Sequence, residues 1–352
     1  MEFGSDNNAG AAPEIIAAVN EANAGPSPSY GNDPIMDRVR QKIREIFEAP
    51  EAAVYLVGTG TAANALSLAI NCTPWGTVYC HPLSHVENDE CGAPEFFIGG
   101  GKLKLVQGDH GKMTPEALQT AIGGTPQGDV HTSQRGMVTI TNTTEAGTVY
   151  SPSEIAALSR VAKQYSLPVH LDGSRFANAV VATGCSPAEM TWKSGVDIVS
   201  FGGTKNGCLG VEAVVIFDPA KAWEFELRRK RGGHLFSKHR YLSAQMDAYL
   251  TSDLWLKLAA HANGQAKRLS DGMARMPHVK FLHPHAANIL FVSMPRQYHR
   301  QAMNAGAHYY LHPFSASLDG PDDERIDARL VCSWCTSDRE IDQFLALIRD
   351  QG

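Results

Sequence analysis

The sequence lacks the features of a secreted, membrane or nucleic-acid-binding protein. Only seven cysteines occur among 352 residues, and this odd, sparse number argues against a disulfide framework. No apolar run approaches the roughly 20 residues of a membrane span, and the first twenty positions contain no Lys or Arg, unlike a secretory signal. The net charge of −6 gives no basic footprint for nucleic acid. We therefore predict a cytoplasmic protein with no membrane or nucleic-acid partner.

Charged residues are also scarce, at 19%, whereas hydrophobic residues reach 43%. Soluble domains carry about 25% charged residues, so this composition predicts a large buried core rather than disorder. At about 150 residues per domain, the length is compatible with two domains.

Strand and helix patterns alternate between about residues 50 and 220. The predicted strands are 53–57, 77–80, 102–106, 137–141, 168–172, 197–201 and 212–217, and the predicted helices between them include 61–71, 115–122, 151–164 and 174–183. This alternation predicts an α/β fold with a mainly parallel sheet covered on both faces. Long helical patterns follow to about residue 270, and the tail alternates as a compact α+β unit. We predict an N-terminal arm (1–34), a large domain (35–270) and a small C-terminal domain (271–352).

Residues that follow the strands carry the first chemical signals, because ligands of open parallel sheets bind at the carboxyl ends of strands. The stretch 58–64, Gly-Thr-Gly-Thr-Ala-Ala-Asn, joins a strand directly to a helix. Its free amides and the hydroxyls of Thr59 and Thr61 are typical of a phosphate cradle. Such turns are common, so this pattern alone does not identify a site.

An acid and a lysine follow two successive strands, at Asp172 and Lys205. Alone, the aspartate is an ordinary helix cap and the lysine an ordinary solvated side chain. Together, if they face one crevice, a lysine amine provides a Schiff base with an aldehyde cofactor, and a carboxylate keeps a pyridine nitrogen protonated. A Schiff-base lysine, a carboxylate for a pyridine nitrogen and a phosphate cradle after an earlier strand are the groups that pyridoxal 5′-phosphate requires.

Several longer motifs support a family resemblance. They are Asp172-Gly-Ser-Arg175, Thr204-Lys205-Asn-Gly, Gly60-Thr61, Ser5-Asp6, Tyr30-Gly31, Arg329-Leu-Val, and the stretches 81–97, 185–193 and 242–250. In these motifs the chain resembles the L-threonine aldolases of the β-eliminating lyase group, and most resembles the low-specificity L-threonine aldolases and L-phenylserine aldolases. The resemblance implies the aspartate-aminotransferase-like fold (fold type I) of pyridoxal phosphate enzymes.

The resemblance also implies roles for the matched residues near the cofactor. Lys205 is expected to form the Schiff base, Asp172 to pair with the pyridine nitrogen, and His85 to stack on the ring and to be available as a base. The remaining residues expected to contact the cofactor are Thr59, Gly60, Thr61, Thr204 and Arg175.

The substrate carboxylate is expected to bind Ser5, Arg175 and Arg329, because an arginine fork matches a carboxylate with two parallel hydrogen bonds. Tyr30 is expected to line the site, with a neighbouring subunit as one possible source. The basic stretch 228–238 matches a region that reaches a partner's cofactor in relatives, with Arg231 and Lys238 as candidates. The family therefore implies a homodimer or homotetramer with shared active sites.

One position departs from the family pattern. Many threonine aldolases carry a histidine near the substrate hydroxyl, in the segment that corresponds to 142–147, but this chain has Thr144 there. The base for the β-hydroxyl is therefore left open between His85, a water and Glu145.

No metal site is predicted. His81 and His85 have a spacing seen in helical metal sites, but Pro82 and the preceding strand oppose a shared helical face. Cys332 and Cys335 have redox or zinc spacing but no second pair, which favours two ordinary buried thiols.

The function implied by the resemblance is retro-aldol cleavage. L-Threonine, L-allo-threonine or L-phenylserine would give glycine and an aldehyde. Two alternatives stay open: another pyridoxal phosphate reaction on the same scaffold, such as β-elimination or transamination, and a binding module without a covalent cofactor.

Overall fold

The computed structural model describes residues 1–349. Within them, two sheets account for the strands. The strands are β1 (Ala53–Val57), β2 (Gly76–Cys80), β3 (Lys102–Leu105), β4 (Gln134–Thr141), β5 (Val169–Gly173), β6 (Ile198–Gly202), β7 (Glu212–Ile216), β8 (Lys280–Phe281), β9 (Ile289–Pro295), β10 (Tyr310–His312) and β11 (Arg325–Val331).

The α-helices surround these strands. They are α1 (Pro13–Ala22), α2 (Pro34–Ile46), α3 (Gly60–Ala69), α4 (His85–Asn88), α5 (Ala93–Ile98), α6 (Pro115–Gly123), α7 (Pro152–Gln164), α8 (Phe176–Thr183), α9 (Pro187–Met190), α10 (Ala222–Arg231), α11 (Arg240–Leu250), α12 (Leu254–Met273), α13 (Arg296–Asn304) and α14 (Asp338–Leu347).

The larger sheet has seven strands in the order β1-β7-β6-β5-β4-β2-β3. β7 runs antiparallel to both of its neighbours, and the other pairs are parallel. Every residue of β2, β5, β6 and β7 is buried, as in sheets covered by helices on both faces. The predicted fold class is confirmed.

Strong local signals set the helix starts. Asp33 accepts a hydrogen bond from the amide of Met36 and so caps α2, and Ser151 and Glu154 form a reciprocal capping box at the start of α7. These contacts satisfy amides that a helix start leaves without partners. Helices α4 and α5 were not predicted from the sequence, because their four and six residues are too few for a helical pattern to repeat.

The smaller sheet is antiparallel, in the order β10-β11-β9-β8. Its hydrophobic cluster contains Ala266 and Leu269 from α12, Phe344 from α14, and Phe3 from the N-terminus. We retain the division at 270/271 as a proposal, with two qualifications. Helix α12 spans that boundary, and the first residues of the arm belong to the core of the small unit.

Strand register determines which residues lie near the site. Asp172 of β5 pairs with Ser200 of β6, and Gly202 at the end of β6 pairs with Glu212 of β7. Because β5 and β6 are parallel, the residues that follow their carboxyl ends lie at the same edge of the sheet. Among residues 1–349, no helix is both long and apolar enough to cross a membrane.

Candidate active site

Asp172 is a fully buried carboxylate with one free oxygen. Its Oδ1 accepts hydrogen bonds from the amide and hydroxyl of Ser174, at 3.1 and 2.7 Å. Its Oδ2 has no hydrogen-bond partner among the described residues. Burial opposes ionisation, but nearby His85 and the Ser174 hydroxyl hold the pKa of Asp172 below its usual value. A buried, ionised oxygen without a partner is suited to accept from a cationic N–H of a ligand.

Lys205 lies in a short 3-10 helix, Thr204–Asn206, directly after β6. The turn is fixed from one side by Asn206, whose side-chain Nδ2 donates to the Tyr249 hydroxyl at 2.7 Å and to the Trp255 carbonyl at 2.9 Å. The Lys205 ammonium is near enough to Asp172 to contribute to its lowered pKa. The structure therefore brings the predicted lysine close to the predicted carboxylate.

The predicted cradle is a helix N-terminus. The Thr59 hydroxyl caps α3 by accepting from the amide of Ala62 at 3.1 Å. The first amides of a helix have no partner within it, so Gly60 and Thr61 offer free donors to an anion. A side chain at Gly60 would come within 3.7 Å of the Ser174 hydroxyl, which binds Asp172. The cradle and the carboxylate therefore border the same space.

His85 is oriented by a buried carboxylate that our sequence analysis did not single out. Its Nδ1 lies 2.8 Å from Oε1 of Glu90, and the same oxygen accepts from the Asn64 side chain at 2.8 Å. Burial acts to lower the pKa of His85, but Glu90, Asp172 and Glu145 together raise it above its usual value. The ring is partly exposed, and its Nε2 is the nitrogen left for a substrate.

Two arginines converge where the substrate carboxylate was predicted. The guanidinium of Arg175 is buried and paired with Asp6. Arg329 donates to the carbonyl of Gly4 at 3.1 Å, and its Nε is buried without a partner among the described residues. Burial and the charge of Arg175 lower the pKa of Arg329. Because Arg175 is already paired with Asp6, Arg329 is the arginine of the two whose charge is more available to an anionic ligand.

The N-terminal segment reaches this pocket, as the motif suggested. The hydroxyl of Ser5 accepts from the amide of Asn7 at 3.1 Å and caps a single helical turn. The next residue, Asp6, holds Arg175. Ser5 is therefore adjacent to the arginine pair, although its own hydroxyl is engaged in a local cap.

Tyr30 lies away from these groups on the exposed surface. Its amide donates to the carbonyl of Ser237 at 3.1 Å, and Lys230 lies 4.8 Å from the centre of its ring. Arg231 and Lys238 are exposed as well. The chain itself does not bring Tyr30, Arg231 or Lys238 into contact with Lys205.

Thr144 does not face a substrate. Its side chain is 1% exposed, and its hydroxyl lies 2.8 Å from that of Thr148. The neighbouring Glu145 is partly exposed and acts electrostatically on Arg175 and Arg329. The position of the family histidine is therefore filled by a structural threonine, and the adjacent carboxylate lies near enough to both arginines to affect their pKa values.

The side chains with metal-like or redox-like spacing, His81, Cys332 and Cys335, differ in their surroundings. His81 bonds the carbonyl of Gly108 and the amide of Leu83, and no cluster of three metal-ligating side chains occurs within residues 1–349. Cys332 is buried, whereas Cys335 is exposed, so the interpretation of two buried thiols is correct for Cys332 only.

Comparison with known proteins identifies the family of the chain. Residues 2–296 match the model of the β-eliminating lyase family. The low specificity L-threonine aldolases of Pseudomonas sp. (strain NCIMB 10558) and Pseudomonas aeruginosa are 39% and 40% identical, over 99% of this chain and 97% and 96% of theirs. A solved threonine aldolase of Leishmania major superposes with a TM-score of 0.91 at 26% identity, over 99% of this chain and 98% of that one. The chain therefore belongs to the β-eliminating lyase family, and the predicted resemblance to its threonine aldolases is confirmed.

Proposed function

We propose that this protein is a pyridoxal phosphate-dependent aldolase that cleaves L-threonine, L-allo-threonine and related L-β-hydroxy-α-amino acids, with L-phenylserine as a further candidate, to glycine and an aldehyde. The enzyme class, a carbon–carbon lyase, agrees with the names of the full-length relatives. The observation that carries the proposal is the unpartnered Oδ2 of Asp172 in the pocket that also holds Lys205.

The residues present fit the cofactor. Asp172 offers the buried oxygen that a pyridine N–H requires, Lys205 offers the amine for a Schiff base, and the start of α3 offers amides for a phosphate. We assign Thr59, Gly60 and Thr61 to the phosphate, with Thr204 beside them. When bound, the cofactor supplies an acceptor for the electrons of the breaking Cα–Cβ bond.

The arginine pair orients the substrate. Arg329, Arg175 and Ser5 hold the α-carboxylate, and this fixes which bond at Cα can break. Arg329 has the more available guanidinium, because two nitrogens of Arg175 already donate to Asp6. Orientation of this kind supplies a large part of the rate enhancement in many enzymes.

We assign the base for the β-hydroxyl to His85. Its Nδ1 faces Glu90, and a carboxylate on one ring nitrogen orients a histidine so that the other nitrogen accepts a proton. Thr144 is excluded from this role by its burial and its contact with Thr148. The proton leaves the hydroxyl oxygen for Nε2 of His85 as the aldehyde forms.

A homodimer or homotetramer with shared sites is part of the proposal. Tyr30, Leu209 and Phe236 are large, exposed side chains, and Phe236 lies close to Gly58 beside the cradle. An apolar surface next to the site is suited to a second copy, and Arg231 and Lys238 would then be available to the partner's pocket. We also propose a cytoplasmic location, since all seven cysteines are free thiols.

The test is product analysis with three substrates assayed side by side: L-threonine, L-allo-threonine and L-phenylserine. We expect equal amounts of glycine and aldehyde, and complete loss of turnover in Lys205→Ala. A keto acid that keeps the carbon skeleton of the substrate would instead favour β-elimination, if ammonia is released with it, or transamination, if the amino group is transferred. Full activity of Lys205→Ala would refute the proposal.

A further inference from the structure

Glu212 is a buried carboxylate for which the proposed reaction has no use. It is the first residue of β7 and is 6% exposed. Strand pairing sets it opposite Val57 of β1 on one side and Gly202 of β6 on the other. Since β1 leads into the cradle and β6 leads into the turn of Lys205, Glu212 lies in the sheet between the two strand ends that form the site.

The carboxylate holds the backbone just before the lysine. Its Oε2 accepts a hydrogen bond from the amide of Gly203 at 2.9 Å, and the Thr204 side chain also bonds it. The Thr204 hydroxyl in turn accepts from the amide of Val211 at 3.1 Å. The residues on the N-terminal side of Lys205 are therefore fixed to β7 through one acidic side chain.

Four titratable groups interact electrostatically with Glu212. Lys205 and Asp172 affect the pKa of Glu212, and Glu212 affects the pKa values of Cys208 and Tyr249. Burial raises the pKa of Glu212 to about 7, against the opposing effects of Thr204, Gly203 and Lys205. Burial also raises the pKa values of Cys208 and Tyr249 well above their usual ranges, so both are neutral. The positive charge of Lys205 opposes the rise in the pKa of Glu212, so the ionised carboxylate and a cation at Lys205 stabilise each other.

We propose that Glu212 is a positioning residue that acts through Lys205: its carboxylate fixes the lysine turn, and its negative charge favours the protonated form of the nitrogen that Lys205 contributes to the cofactor imine. The proposal rests on the proposed function, because it requires Lys205 to carry the cofactor. A buried negative charge near a titrating nitrogen stabilises the cation, since the low dielectric of the interior weakens the interaction little.

The experiment is a pH titration of the visible absorbance of protein loaded with pyridoxal 5′-phosphate. Glu212→Gln keeps the size of the side chain and an acceptor for the amide of Gly203 but removes the charge. We expect the midpoint of the imine titration to fall by about one pH unit relative to wild type. Glu212→Asp keeps the charge and should titrate closer to wild type. Glu154→Gln, which neutralises an exposed acid on α7, should leave the midpoint unchanged.

An unchanged midpoint in folded Glu212→Gln would overturn the proposal. If Glu212→Gln does not fold, Glu212→Ala takes its place and is compared with Glu212→Asp. An equal fall of the titration midpoint in these two variants would also overturn the proposal. Borohydride reduction of the wild type, followed by peptide mapping, tests the attachment of the cofactor to Lys205 separately from the role of Glu212. Absence of a label on Lys205 refutes the cofactor assignment and this proposal together, whereas a label on Lys205 with an unshifted midpoint refutes the role of Glu212 alone.

Discussion

Asp6 and Arg175 form a buried, two-pronged ion pair across 169 residues of sequence: Nε and Nη2 of the arginine donate to Oδ2 and Oδ1 of the aspartate at 2.6 and 2.9 Å. The Asn288 side chain donates to the same carboxylate at 3.1 Å. The pair therefore joins the N-terminal segment to the turn after β5, and it couples the position of Arg175 to the folding of the first few residues.

Asp6→Ala should lower the free energy of unfolding by about 3 to 5 kcal/mol, because it leaves the buried guanidinium of Arg175 without its anion. Urea unfolding followed by circular dichroism measures this change. Glu14→Gln, at an exposed acid on α1, is the control and should alter stability by less than about 0.5 kcal/mol. A loss below about 1 kcal/mol in Asp6→Ala would show that the pair contributes little.

The same substitution should change the acid sensitivity of the fold. Burial opposes ionisation of Asp6, but Arg175 holds the pKa of Asp6 below its usual value of 3.8. The stabilisation from Asp6 is thus fully present above pH 3.8 and is lost as the pH falls through the lower, folded-state pKa. The stability gap between wild type and Asp6→Ala should be constant from pH 7 to about pH 4.5 and should close at lower pH. A gap that stays constant down to pH 2 would contradict the assignment.

Glu90→Gln should shift the acidic limb of the rate profile. Burial lowers the pKa of His85, and the hydrogen bond to Glu90 raises it. Without the Glu90 carboxylate the pKa of His85 should therefore fall, by about one unit for a lost charge-assisted hydrogen bond. Because a base must be unprotonated, activity should then persist to lower pH. NMR titration of His85 and the pH dependence of kcat measure the two effects. Glu87→Gln, at an exposed acid on α4, the helix that carries His85, is the control. An equal shift in both variants would exclude a specific effect of the contact between Glu90 and His85.

Asp172→Asn should separate cofactor binding from catalysis. The amide can still accept from Ser174, so the fold and part of the cofactor affinity should be retained, but the charge that keeps the pyridine nitrogen protonated is lost. We expect kcat to fall by at least about a hundredfold, as for the loss of a main electrostatic stabiliser. Aldehyde release and equilibrium dialysis of the cofactor measure these effects. Weaker cofactor binding with an unchanged kcat at saturating cofactor would indicate a binding role only.

Local signals made much of this molecule predictable from its sequence. The capping box at Ser151 and Glu154 depends on residues three apart, and the proposed chemistry of Asp172 and Lys205 follows from their positions at the end of one strand and after the next. Such features need only periodicity and the rule that sites lie at the carboxyl ends of parallel strands.

Groups that act through distant partners were not predictable in the same way. The sequence assigned no role to Asp6, Glu90 or Glu212, although the first two lie within motifs and the third begins a predicted strand. Their roles depend on strand register and on which side chains are buried beside them. The sequence pattern at Thr144 showed that the family histidine was absent. Only the packing of Thr144 against Thr148 showed that the threonine is structural.

Substitution of Glu145 tests whether its carboxylate weakens binding of the substrate carboxylate. Its carboxylate raises the pKa values of His85 and Arg175 and acts on Arg329, so it competes with the substrate carboxylate for the same cations. Glu145→Gln should therefore lower KM for L-threonine by about three- to tenfold, roughly 1 kcal/mol, and should leave kcat within about tenfold of wild type.

The opposite pattern would identify Glu145, rather than His85, as the base. Loss of a general base costs about a hundredfold or more in kcat, and KM need not fall. Steady-state kinetics on L-threonine and L-allo-threonine, measured at several pH values, distinguish the two cases. If His85 is the base, the acidic limb of the kcat profile should move slightly to lower pH in Glu145→Gln, since one of the charges that favour protonated His85 has been removed. If Glu145 is the base, that limb should disappear.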